Sequence, residues 1–294
     1  MSCISVALGY DVTSLAIPPA GDVVVAGWHE GRVTVHRRTD GALIHELPPQ
    51  PAAVWSLAFS PDGTRLAIGS DDNPNSPDGA VEIWRTSPWT PIAALPIDDI
   101  GGTWSLDWTA DDSRLVVGHT NGVVRLWDLT TTSVVRIFDA ITCELPKVAC
   151  ARRAPLLAHG CEELVQIVRL ADGTLLHEWG GHPDWVQALA WSPTGPLVGV
   201  CAGDSVVRLW DADQGTSVWQ LALGSTSESL AFSPDGQRLA CGGSDGRVRI
   251  VRVADAVVET ELVGHRGWVR AVTWAADGQV IVSGGTDGML RIWY

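Results

Sequence analysis

The chain has 294 residues, a formal net charge of −14, and 46% hydrophobic against 18% charged residues. That balance supplies a buried core and excludes disorder. The acidic excess argues against a nucleic acid as main partner, because phosphate binding leans on cationic contacts.

In chain order, residues 1–9 are apolar with no Lys or Arg ahead of them, which makes a poor secretory signal. Residues 3–8 read as a strand. A repeated pattern then starts near Ser14, Val54, Thr103, Lys147, Val186, Glu228 and Trp268. Within a unit, two short apolar runs flank a polar turn such as Ser60-Pro61-Asp62-Gly63 or Ser233-Pro234-Asp235-Gly236. A tight hairpin such as Asn121-Gly122 or Asp287-Gly288 leads to a third strand. A fourth strand follows, for example residues 42–47 or 257–262. The polar hairpin residues are Glu30, Asp78, Asn121, Glu162, Asp204, Asp245 and Asp287, spaced 41 to 48 residues apart. Seven units therefore fill the chain. Residues 70–79, in the second unit, form the longest hairpin. Residues 185–203 carry no charge, but Ser192-Pro193-Thr194-Gly195-Pro196 divides them into two strands instead of a membrane span.

Inner runs such as Leu115-Val116-Val117 place bulky apolar groups side by side, which demands burial on both sheet faces. Small sheets stacked radially meet that demand. The expected fold is all-β, one domain over residues 1–294: a seven-bladed β-propeller of four-stranded antiparallel sheets. The blades fall near 12–47, 53–95, 103–138, 147–179, 185–223, 227–262 and 268–294. The strand at 3–8 completes the seventh blade, closing the ring and removing its open edges.

Trp127-Asp128 and Trp210-Asp211, with Gly181-His182 and Gly264-His265, resemble the signature pairs of the WD40-repeat propeller family. The resemblance covers the whole chain. Departures occur where His36, Val168 and Val251 replace the signature Trp. The fourth unit carries Arg152-Arg153-Ala154-Pro155 in place of a Pro-Asp-Gly turn. His265, Ser283, Asp287 and Trp293 could be taken for a nucleophilic triad with a neighbour. The resemblance implies instead a buried structural tetrad in which every polar group finds a partner. His182, Asp204 and Trp210 form a partial copy with no clear Ser.

No phosphate loop, HExxH or CxxC motif is present. His29, His119 and His159 recur at blade spacing and are expected to be hairpin polarity, not a zinc set. Asp71-Asp72-Asn73 lacks calcium-loop spacing. Catalytic residues, metals and cofactors are all expected to be none. Cys3, Cys143, Cys150, Cys161, Cys201 and Cys241 are expected to be reduced, mostly buried thiols of a cytoplasmic chain.

One aligned position at the start of the first strands reads Thr13, Trp55, Trp104, Lys147, Gln187, Glu228 and Arg270. Trp185 and Trp268 stand two residues earlier in their units. The resemblance implies that these positions form the top-face mouth of a central channel, where a protein or peptide docks. Indoles with a few charges make a suitable binding composition. His29, Thr120, Cys161, Ser244 and Thr286 lie on hairpins of the same face. Tryptophans ending first and third strands, such as Trp108 and Trp84, are expected in the core. The expected function is a non-enzymatic interaction scaffold, monomeric, binding neither nucleic acid nor membrane. A recognition propeller of a signalling or defence assembly is the alternative. A small-ligand or enzymatic propeller ranks below both.

Overall fold

In a computed structural model, the short apolar runs become strands of four to seven residues separated by tight turns. The structure describes residues 2–7, 9–70, 81–96, 101–138 and 145–294. Leu8 of the expected closing strand and residues 71–79 of the blade-2 hairpin, with Asp71, Asp72, Asn73 and Asp78, lie outside the described residues, as does Cys143. Among the described residues, 28 strands form seven four-stranded antiparallel sheets. Six sheets use four consecutive strands. The seventh takes Val269–Trp274, Ile281–Gly285 and Met289–Trp293, and adds Cys3–Ala7 at its edge.

The closing pairing runs in register from Cys3 opposite Trp293 to Ala7 opposite Met289. Tyr294 extends it by donating its amide N–H to the Ser2 carbonyl at 3.0 Å. The tyrosine hydroxyl donates to the Arg38 carbonyl of blade 1 at 2.7 Å. Arg38 in turn pairs with Asp277 of blade 7 at 2.6 Å. Sheet edge and neighbouring blade are thus fastened together at the seam.

The innermost strands touch one another in succession around a central axis, the last against the first. Second strands are buried on both faces; Leu66, Ala67 and Ile68 are fully covered. Fourth strands lie outermost and mostly exposed, which is where Ile44, Val135, Ile137 and Val218 meet solvent. Seven apolar clusters fill the seven gaps between neighbouring blades. Val25 and Val35 of blade 1, for example, pack with Leu57, Phe59 and Leu66 of blade 2. The continuous apolar runs therefore reflect two packed faces per sheet.

Tryptophans ending first strands also tie blades together. Trp108 donates its indole N–H to the Ala58 carbonyl at 3.0 Å, Trp191 to Ala149 at 2.8 Å, and Trp274 to Ala231 at 3.1 Å, each reaching into the preceding blade. The Arg65 guanidinium lies over the Trp108 ring, and that of Arg238 over Trp274. The polar turns work as their residue types dictate. The Ser60 hydroxyl donates to Asp62 at 2.6 Å and accepts the Arg65 amide at 3.0 Å, while Gly63 takes a left-handed φ of 73°.

Two expectations need correction. Cys161 is disulfide-bonded, so the six cysteines are not uniformly reduced thiols; Cys3, Cys150, Cys201 and Cys241 are free. His119 and His159 are buried strand residues, not hairpin polarity, because their second strands are covered on both faces. Among the described residues, no helix is long and apolar enough to cross a membrane.

Candidate functional site

The innermost strands carry a common irregularity. Their pairing with the second strand slips by one residue between Val12 and Ser14, Val54 and Ser56, Thr103 and Ser105, Val186 and Ala188, Ser227 and Ser229, and Val269 and Ala271. The extra residue at each β-bulge is Thr13, Trp55, Trp104, Gln187, Glu228 or Arg270. A bulge leaves its residue unpaired and re-aims its side chain. Blade 4 is the exception: Lys147 opens its first strand and pairs regularly with Gly160. All seven residues nevertheless line one cavity of about 250 Å³ at the mouth of the central channel.

Contacts across this mouth are specific. Trp55 and Trp104 lie with ring centres 4.7 Å apart, and His29 meets Trp55 edge-on at 5.7 Å. The Lys147 ammonium sits over the Trp104 ring, 4.5 Å from its centre. Across the cavity, Arg270 pairs with Glu228 at 3.2 Å and covers the exposed ring of Trp268 at 4.8 Å. Burial lowers the Lys147 pKa to about 8, with Arg270 adding to the effect and Glu228 opposing it. Burial raises the Glu228 pKa against the pull of Arg270 and Lys147. The mouth therefore presents two basic side chains, Lys147 and Arg270, and one acidic one, Glu228.

Trp185 and Trp268 differ from the other expected site residues. They are 43% and 47% exposed and do not line the cavity. Trp268 borders it through Arg270, whereas Trp185 stands apart.

The four residues at the blade-7 tetrad positions form one directed chain. His265 Nδ1 lies 2.8 Å from Asp287, and its Nε2 lies 2.8 Å from the Ser283 hydroxyl. The Trp293 indole N–H donates to the same hydroxyl at 2.9 Å. A carboxylate can only accept, so the His265 Nδ1–H donates to Asp287 and its bare Nε2 accepts the Ser283 proton. Burial lowers the His265 pKa, which suits this neutral ring; Asp287 opposes the shift.

In blade 5 the chain is not made. Val200 holds the register position of Ser283. Asp204 is bound by Arg208. Neither ring nitrogen of His182, nor the Trp210 indole nitrogen, has a partner among the described residues. Trp210 stacks on Trp179 instead, with ring centres 4.9 Å apart.

Two networks escape sequence inspection. In blade 1, Trp28 donates to the Thr34 hydroxyl at 2.9 Å, which lies 2.9 Å from His36 Nε2, while His36 Nδ1 lies 3.1 Å from the Gly41 carbonyl. Trp, hydroxyl and neutral His recur in the same order on different strands, so His36 is a replacement and not a loss. In blade 2, Trp84 and Gln50 both donate to Glu82, at 2.7 and 3.0 Å. The signal in hindsight is Trp28 and Thr34 beside the replaced signature residue His36 in blade 1, and Glu82 two residues before Trp84 in blade 2.

Seven four-stranded blades closed by an early strand, with polar tetrad-type networks beneath a channel mouth, define a WD-repeat propeller. The WD domain, G-beta repeat family matches residues 41–85, 98–128, 173–211, 217–251 and 257–294, well over half of the chain. The chain belongs to the WD40-repeat family. The matched segments leave out most of blade 4, which nonetheless has four strands, Lys147–Cys150, Leu156–Cys161, Leu164–Arg169 and Leu175–Trp179. Periodic tryptophan protein 2 of Arabidopsis thaliana is 27% identical over 221 residues, covering 71% of this chain and 23% of that protein. A Striatin homolog of Dictyostelium discoideum is 22% identical over 218 residues, covering 67% and 26%. THO complex subunit 3 of Arabidopsis thaliana is 38% identical over 77 residues, covering 26% and 24%. The chain spans about a quarter of the length of these three relatives.

Proposed function

We propose that this chain is a non-enzymatic interaction module that docks a protein or peptide partner at the channel mouth. The observation that carries this reading is the repeated bulge. Six strands spend a ladder position to turn Thr13, Trp55, Trp104, Gln187, Glu228 and Arg270 toward one cavity, and Lys147 fills the seventh position. Two indoles, two cations and one carboxylate around a cavity suit recognition of a polypeptide. Trp268 extends the surface outward. One similar protein is named as a subunit of a complex, which fits an interaction role.

A hydrolytic role for the tetrad has no support in its geometry. Ser283 is fully buried and its oxygen is engaged by both His265 and Trp293, so a substrate carbonyl has no approach. The tetrad instead braces blade 7. Among the described residues the free thiols Cys3, Cys150, Cys201 and Cys241 accord with a cytoplasmic setting, and the disulfide-bonded Cys161 does not.

The test is affinity purification from the native host with the wild-type chain and a Trp55→Ala/Trp104→Ala/Trp268→Ala variant. Recovered partners should fall away with the variant while its melting temperature stays near wild type. Equal recovery from a folded variant removes the site.

A further inference from the structure

The mouth differs from the molecule around it. The chain carries a net charge of −14, yet the seven channel positions hold Lys147 and Arg270 against Glu228 alone. Arg270 is already paired with Glu228. Lys147 is not: among the described residues, no carboxylate oxygen stands within ion-pairing distance of it. Its ammonium lies instead over the Trp104 ring. An ammonium offers three hydrogen-bond donors, and an indole face uses none of them conventionally. A part-buried cation with no carboxylate beside it among the described residues keeps its donors for an incoming anion.

The wall beside it sets the shape of the ligand. Trp104 and Trp55 form a continuous aromatic surface next to the ammonium. Arg270 is engaged by Glu228, so the cation left for an incoming carboxylate is Lys147. An anionic head on a short methylene stem, within about 250 Å³, matches both features. We propose that Lys147 is the specificity-determining residue of the mouth, and that it receives an acidic side chain of an extended partner peptide while Trp55 and Trp104 cover the stem. This rests on the docking role proposed above and adds the chemistry of what docks.

The full chain, labelled with nitrogen-15 at its tryptophan indoles, is titrated with three peptides. They are acetyl-Ala-Ala-Glu-Ala-Ala-amide, its Gln counterpart, and acetyl-penta-alanine with a free terminal carboxylate. The Trp55 and Trp104 resonances are assigned with Trp55→Phe and Trp104→Phe. The Glu peptide should shift both and bind about tenfold more tightly than the Gln peptide. Lys147→Met should abolish that preference without moving the melting temperature. Lys147→Glu should transfer it to a Lys-centred peptide. Equal binding of the Glu and Gln peptides overturns the proposal, as does a preference that survives Lys147→Met. No shift with any peptide at millimolar concentration overturns it too. Shifts from the free terminal carboxylate alone reassign the ligand to a chain end and overturn the side-chain claim. Equal binding of the Glu and Gln peptides at Trp104 leaves the docking role standing. That role falls by the tryptophan variants of the purification experiment.

Discussion

At position 283 one hydroxyl oxygen serves two buried nitrogens, those of Trp293 and His265. Ser283→Ala strands both, and a buried unpaired polar group costs about 1–3 kcal/mol. Urea denaturation should show a loss of that size, and no loss would deny the tetrad its bracing role. His119 and His159 make a second residue-scale case. Burial holds both near pKa 4 in the folded chain, with Arg125 adding to the effect at His119. Unfolded histidine titrates near 6.5, so between about pH 6.5 and 4 the unfolded chain binds more protons. Their stabilising contribution is complete above the unfolded value and drains away as pH falls toward the folded one, by roughly 2 kcal/mol each at pH 5. The melting temperature should fall between pH 7.5 and 5, and His119→Gln/His159→Gln should flatten that slope. An unchanged slope would assign the acid sensitivity to other groups. Neither histidine's burial could be read from the sequence, because a His near a strand end looks the same whether its face is wet or covered by the next blade. His36 was misleading for a related reason: its partners, Trp28 and Thr34, occupy positions that the family pattern does not mark.

Among the elements, first-strand bulges and second-strand glycines form one device. Beside the bulge, Gly69 and Gly284 sit where a Cβ would lie 2.5 Å from Thr103 and 2.4 Å from Val12 of the following blade. Those contacts let the next first strand approach closely enough to close the ring. Gly69→Ala and Gly284→Ala should each cost about 1–3 kcal/mol by forcing blades apart. Gly199→Ala meets its nearest atom at 3.4 Å and should be close to neutral. Thermal melts of the three variants check this, and a Gly199 variant as unstable as the other two would contradict it. The turns and strand order were legible because Gly, Asp and Pro act locally. The bulges leave only a faint trace, a three-residue step such as Val54 to Leu57 where the buried residues of the first strand otherwise alternate, and that step does not say which way the side chains between them point. Alignment alone therefore found the seven mouth positions without saying why they face the channel. It also grouped Trp185 with them, although that ring stands away from the cavity.

Over the whole molecule, the ring is closed by five residue pairs between Cys3–Ala7 and Met289–Trp293. Removing residues 1–9 strips that pairing and exposes a sheet edge, so the melting temperature should drop by several degrees and aggregation should rise. An unchanged melt would mean that the seam holds without its outer strand. Blade number and closure were readable from a repeat that ends one strand short and a spare strand ahead of the first unit. The disulfide at Cys161 was not, since spacing alone does not bring two sulfurs together. What the ring accomplishes as a unit is convergence, seven side chains from seven sheets on one opening. The most direct test puts a photocrosslinking amino acid at position 187 inside the mouth, and in a second variant at position 218 on an exposed outer strand. Illumination in the native host should join a protein partner to position 187 and not to 218. Crosslinks from 218 alone, or equally from both, would contradict docking at the mouth.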